Sequence, residues 1–476
     1  MQKAFILGVA GACVLVTACN ADRLTLPNQN TVTQEAASGA TGVLQLQVAG
    51  VLRRLRGGRQ NFITTTARFG REGYVYTPNE GRFTSNFLIG LPGENRIDPA
   101  GFAAGAWTTH YGDLRDIHVT RQAVDAATLL TPEQNSALHG MLGTFEGLEL
   151  LYLISTRDTI GIVVEIKDNP QELAPFVSRD SAYSYIMNTL DAAYAQLQAG
   201  GAAFPVTLHE GFAGFDTPPT FAQFNRAIAA RAAAYSATTG GGATSWARAA
   251  AAMAVSFINP APATLADLNV GVYNVHSLAT GDSANGVDST GNTDFLGHPS
   301  LRTDAQLKAD GVTQDDRFTR KTFTLPTARN APQGLGIPTD LGLRVYKTQE
   351  DPVPIVRNEE LILLDAEIRL ATGDKAGAIA NINAVRTISG GLPPSTLTAG
   401  SPDADVLLGI LYEKRYSLLA EGHRWIDMRR YGLLATLPLD ITTGVNAHFV
   451  AKVIPVPQAE CLVRARSDPS LAGPGC

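Results

Sequence analysis

Several stretches of this chain return an apolar residue every three or four positions and are bounded by capping residues or glycine. A chain patterned in this way folds as packed helices. Thr131-Pro132-Glu133-Gln134 supplies an N-cap, a proline at the first helical position and a capping-box glutamine. Leu138, Leu142, Phe145, Glu149 and Tyr152 follow at helical spacing, and Gly143 and Gly147 leave room for a close neighbour. Tyr183, Ile186, Leu190, Ala193 and Leu197 repeat the pattern until Gly200-Gly201 stops it. Thr220 and Gln223 read as a second capping box, ahead of Phe224, Ile228 and Tyr235. After a glycine turn at 240–242 come Trp246, Ala250, Met253 and Phe257. Another helical pair opens near Arg357 and breaks at Gly373, with Asp374 placed to cap the partner. Helical hairpins in series predict a mostly α, tetratricopeptide-like superhelix, although no clean repeat of about 34 residues is present.

The N-terminus predicts export. Lys3 precedes an apolar run, 4–16, that suits a signal peptide and is short of the ~20 residues a membrane-spanning helix needs. The run ends in Val16-Thr17-Ala18-Cys19, which resembles the lipobox of bacterial lipoproteins. That resemblance implies cleavage after residue 18 and acylation of Cys19. The polar residues after it read as a tether to a folded body. The expected organisation is a signal peptide at 1–18, a lipidated cysteine and tether at 19–40, and one domain at 41–476. Of four cysteines, Cys13 leaves with the signal and Cys19 carries lipid. Cys461 and Cys476 remain in an oxidising compartment and are expected to form a disulfide that ties down the tail.

Within the domain, 41–258 and 356–476 are expected to be helical. Residues 259–355 form a loop-rich insertion, and 58–100 likewise lack helical period. Loops this long are functional or disordered. The aromatic residues that punctuate them favour ordered loops on a scaffold. A net charge of −6 excludes a nucleic-acid partner, which needs a basic face.

Two C-terminal blocks carry a resemblance. The first, 354–386, holds Arg357, Glu360, Leu361, Leu363, Leu364, Ala366 and Glu367, then Gly373-Asp374, then Asn383, Val385 and Arg386. The second holds Glu413, Arg415, Glu421, Gly422, Arg424, Asp427, Arg429 and Arg430. In order and spacing they resemble the SusD/RagB family. Weaker agreement lies at Trp107 and Tyr111, at Leu114 and Ile117 (with His118 where asparagine is expected), at 224–231, at Asp315-Asp316-Arg317 and at Ile454-Pro455-Val456-Pro457. The C-terminal cysteines depart from the pattern. The resemblance implies an α-superhelix bearing long loops, lipid-anchored at the outer membrane and facing the exterior. It also implies a SusC-like, TonB-dependent barrel as partner and a glycan or peptide oligomer as ligand.

Sugar rings stack on aromatic faces while polar side chains fix their hydroxyls. The candidates are Tyr74, Tyr76, Arg82, Phe83 and Asn86 from the first long loop, with Phe295, His298 and Arg302 from the second. Trp107 has core spacing. No catalytic residue, cofactor or metal is expected. The eight histidines lack zinc-helix spacing, and no nucleophile elbow, P-loop or dinucleotide fingerprint is present. The acidic run at 281–297 lacks EF-hand spacing. A secreted hydrolase would need a catalytic constellation; a helical-repeat adaptor would have short turns and a polar concave surface. A nutrient-binding lipoprotein that is not an enzyme fits the residues best.

Overall fold

Helix α1 (Thr41–Phe69) continues into 58–69, where the sequence shows no helical period. Leu44, Val48, Val51, Leu52, Leu55, Phe62, Ile63 and Phe69 form its buried side. Three arginines and Gly57-Gly58 in the middle hide that stripe from a periodicity argument. The computed structural model describes residues 41–93, 97–291, 293–474 and 476. The expected signal peptide, Cys19 and tether lie outside the described residues.

After β1 (Gly73–Val75) and the short α2 (Arg82–Leu88), the scaffold continues with α3 (Thr108–Ala126), α4 (Pro132–Arg157), α5 (Arg179–Gln198), α6 (Pro218–Ser236) and α7 (Gly242–Ala254). From α3 onward each packs on the next, the superhelical arrangement expected of tetratricopeptide-like units. Thr131 caps α4 with the full capping box. Glycine sets the spacing to α5: a Cβ at Gly140 would fall 2.8 Å from the Ala193 carbonyl, and one at Gly147 2.7 Å from Leu190. The cap of α6 differs from expectation. Thr217 is the N-cap and Thr220 is the third helical residue, because Pro218 and Pro219 suit the first turn and start the helix earlier.

The insertion at 259–355 holds more strand than the sequence predicts. It contains β2 (Gly271–Asn274), β3 (Phe295–Gly297), β4 (Thr322–Arg329) and β5 (Thr339–Leu343), with α8 (Asp316–Lys321) before β4, and β6 (Val353–Arg357) runs out of its end. One sheet has the order β1-β3-β5-β4; β2 pairs with β6. All these pairings are antiparallel. Most of these strands are three to five residues long, too short to display a period of two.

Helices α9 (Asn358–Ala371), α10 (Lys375–Ile388), α11 (Asp403–Ser417) and α12 (Arg424–Arg430) complete the scaffold. Gly373 turns with φ +92°, and Asp374 accepts from the Gly377 N–H to cap α10. The conspicuous charges of this region are buried and paired. Arg357 bonds Glu359 and Glu421, Arg231 bonds Glu360 at 2.6 Å, and Arg317 bonds Asp315 and Glu413. Glu367 accepts from Lys414 at 2.7 Å, from Arg430 and from the Tyr431 hydroxyl. Burial alone would raise Glu367, yet Arg430 and Lys414 pull it down to about 2. These are charge-assisted hydrogen bonds that fix helix packing. The tail helix α13 (Gln458–Ser467) is closed by a Cys461–Cys476 disulfide.

Candidate ligand-binding site

Three segments, 77–93, 329–338 and 441–449, the first of them carrying α2, converge beside β1. His448 Nε2 lies 2.9 Å from the Leu335 carbonyl, and Asn446 donates to the Gly334 carbonyl. The Phe449 N–H bonds the Leu88 carbonyl at 2.8 Å, and a Cβ at Gly81 would touch Leu335 at 3.0 Å. Gln333 holds φ +57° in this cluster, a left-handed conformation that costs a non-glycine residue free energy.

On this face Phe83 and Phe102 stack, with centroids 4.7 Å apart and planes at 25°. The Arg82 guanidinium lies 4.8 Å over the Phe102 ring and is gripped by Glu80. The Arg82 side chain is 65% exposed and Phe102 38%, so both present surface to solvent. Asn86 accepts from the Phe102 N–H at 3.0 Å and holds the ring in place. The result is a flat apolar face edged by a cation and an amide, the chemistry that suits a sugar ring. Phe102 was not among the sequence candidates; its only signal is an aromatic residue inside a small-residue loop.

The other candidates divide. Arg302 stays near the surface, bonded to Asp340 at 2.7 Å. Tyr74, Tyr76, Phe295 and His298 are buried, and the expectation that they offer faces to a ligand is corrected. Both faces of the β1–β3 pair are covered: Tyr74 and Tyr76 join the main core and Phe295 a second apolar cluster. The Tyr74 and Tyr76 rings stack on each other at 5.0 Å. Tyr74 donates to Asp440, and Tyr76 to the Ile337 carbonyl at 2.7 Å. His298 Nε2 lies 3.0 Å from Asp440. Burial would raise Asp440, but hydrogen bonds from His298, His448 and Tyr74 hold its carboxylate well below the usual range. Asp440 therefore braces the base of the loop face. Sequence reasoning missed it because two of its partners, Tyr74 and His298, are more than a hundred residues away.

The acidic run at 281–297 pairs mostly with arginines and backbone of this chain, while Asp288 Oδ2 is buried without a partner among the described residues. Asp282 pairs with Arg56, Asp294 with Arg329 at 2.9 Å, and Asp288 accepts from Thr290 and Gly291. Trp107 is core, at 4% exposure. A concavity of about 400 Å³ lies between α5, α6 and α7 around Tyr194, Arg226 and Val255. Another, about 380 Å³, is bordered by Tyr111, Arg115, Glu172 and Arg464. Among the described residues, no helix is long and apolar enough to cross a membrane.

Residues 315–459 match the model of the SusD family, SusD_RagB. No curated protein matches the sequence. Solved structures do match the fold. Surface glycan-binding protein A from Bacteroides thetaiotaomicron superposes with a TM-score of 0.68 at 12% identity, covering 90% of this chain and 98% of that one. A SusD-like protein from Bacteroides fragilis gives 0.65 at 14%, covering 90% and 96%. Surface glycan-binding protein A from Bacteroides uniformis gives 0.65 at 17%, covering 91% and 99%. The chain has a SusD-like fold over most of its length, and its residues 315–459 match the SusD family model.

Proposed function

We propose that this protein is a surface lipoprotein that captures a glycan and passes it to a TonB-dependent outer-membrane barrel, without transforming it. The part-exposed Phe83–Phe102 stack on the loop face carries this reading, since it is an aromatic platform on a scaffold shared with glycan-binding proteins. The stack supplies a face for a pyranose ring. Arg82, Asn86 and Glu80 stand near it as hydrogen-bonding partners, and Arg302 is a further candidate. Each stacked ring contributes about 0.5–1.5 kcal/mol beyond its buried area. Binding is therefore modest, because lost freedom offsets much of the contact energy. Acylation of Cys19 would hold the body at the membrane, each buried methylene contributing about 0.8 kcal/mol.

Isothermal titration against a panel of oligosaccharides and peptides, with product analysis after long incubation, tests both halves of the proposal. Saturable binding of a glycan that is recovered intact supports it. Steady turnover of any panel member would show an enzyme instead, and binding confined to peptides would redirect the ligand class. The anchor is tested separately: Cys19→Ala should release the chain from membranes, and an unlipidated N-terminal peptide in the wild type would refute it.

A further inference from the structure

Three helices meet at a group of buried ligand atoms that the glycan-binding role does not use. His110 and Asp113 stand three residues apart on α3, a spacing that puts both side chains on one face. Glu149 meets them from α4. The three residues are 1%, 1% and 0% exposed. One ligand atom from each lies within 4.8 Å of the others, and His110 Nδ1 is 2.6 Å from Glu149 Oε2.

That single contact leaves much unpaired. His110 Nε2, Asp113 Oδ2 and Glu149 Oε1 are buried with no hydrogen-bond partner among the described residues. Buried polar atoms are normally satisfied, so three orphans in one place call for an explanation. Protons shared among the three side chains could pair only some of these atoms. Arg59, on α1, spends its guanidinium on the Pro354 and Glu421 carbonyls at 3.0 and 2.8 Å. Gly58 adds a second observation. A Cβ there would stand 3.0 Å from Asp113 Oδ2 and 3.1 Å from His110 Nδ1, so the missing side chain leaves a space that both atoms face. On the outer side Arg54 bonds Asp113 Oδ1 at 3.3 Å and Asp116 at 3.0 Å, and its side chain is 48% exposed. Swinging it onto Asp116 alone would open a path to the site.

We propose that His110, Asp113 and Glu149 bind a first-row divalent cation, zinc or a close relative, which braces α3 to α4 beneath Gly58 of α1. One imidazole and two carboxylates are the donors such ions take, and inward-facing carboxylates and histidines on neighbouring helices are how helical bundles hold them.

The full mature chain, stripped with a chelator and dialysed, is titrated with Zn²⁺ alone. The expected result is one ion bound per chain, a raised melting temperature, and an X-ray absorption spectrum containing imidazole nitrogen. Glu149→Gln, close in shape, and Gly58→Ala, which fills the space, should each weaken uptake by at least about tenfold. Absence of stoichiometric uptake by the wild type would overturn the site. So would unchanged uptake in both variants, with circular dichroism showing native helix. If a variant loses its helices, the wild-type spectrum decides: bound zinc without imidazole nitrogen contradicts the proposal.

Discussion

Arg430 and Arg82 each grip a glutamate, the first deep in the helical scaffold and the second on the loop face. The Arg430 and Glu367 side chains are 1% and 0% exposed, those of Arg82 and Glu80 65% and 28%. Inside, two cations and a tyrosine share Glu367, and losing any member strands a charge without water. Outside, water and ions screen the pair, and such surface contacts stabilise little. The buried pair therefore holds the fold, while the exposed pair leaves a guanidinium available beside an aromatic platform. The same chemistry is structural in one region and open to a ligand in the other because of burial alone.

Breaking the buried side should have the largest effect. Glu367→Ala leaves the buried cations Lys414 and Arg430 to share Asp427 alone and should lower the unfolding free energy by about 3–5 kcal/mol. Urea denaturation followed by circular dichroism checks this. Arg82→Ala in the same assay should change little.

A pH series sharpens the comparison next. Glu72 is 1% exposed, and burial, against the pull of Arg424, raises its carboxyl to about 8. Its contribution is full below the ordinary glutamate value near ~4.3 and is lost as pH rises through about 8. Glu367 has the opposite sign: its contribution is full above that ordinary value and is lost as pH falls through about 2. Glu72→Gln should therefore flatten the decline in melting temperature toward alkaline pH and leave the acid limb as it was. An unaltered alkaline limb would remove Glu72 from the account.

The tail should respond locally. Closing a loop of this length contributes at most about 3 kcal/mol by chain entropy. Cys461→Ser should speed tryptic cleavage near Arg464 and Arg466 while the helical signal stays intact. Loss of helix throughout would show that the tail supports the scaffold.

Stability should change least on the loop face. Phe83→Ala with Phe102→Ala should lower stability by only about 1 kcal/mol, since both rings are part-exposed and their stacking is worth about 0.5–1.5 kcal/mol. The same pair should weaken glycan binding about tenfold or more, by titration calorimetry. Equal affinity in the double variant would leave the fold assignment standing and remove the platform.

The helices from 131 onward were legible because caps, glycines and apolar spacing agreed there, as at Thr131 and at Gly373-Asp374. The charges at 357–430 were legible as packing residues, because they lie on scaffold helices. Helix α1 was hidden because Gly57, Gly58 and the arginines break its apolar pattern. The candidate site was only partly legible. Arg82, Phe83 and Asn86 lie on the proposed loop face, but three-residue strands gave no sign that Tyr74 and Phe295 would be buried. Phe102 and Asp440 gain their roles only through contacts that the chain makes after folding.

The most direct test of the loop face is a crystal structure of the mature chain with whichever oligosaccharide binds it most tightly. The account predicts a sugar ring stacked on Phe83 or Phe102, with Arg82 or Asn86 within hydrogen-bonding distance of its hydroxyls. A sugar seated instead in the cleft bordered by Tyr111, Arg115 and Arg464, with the Phe83–Phe102 pair bare, would contradict it.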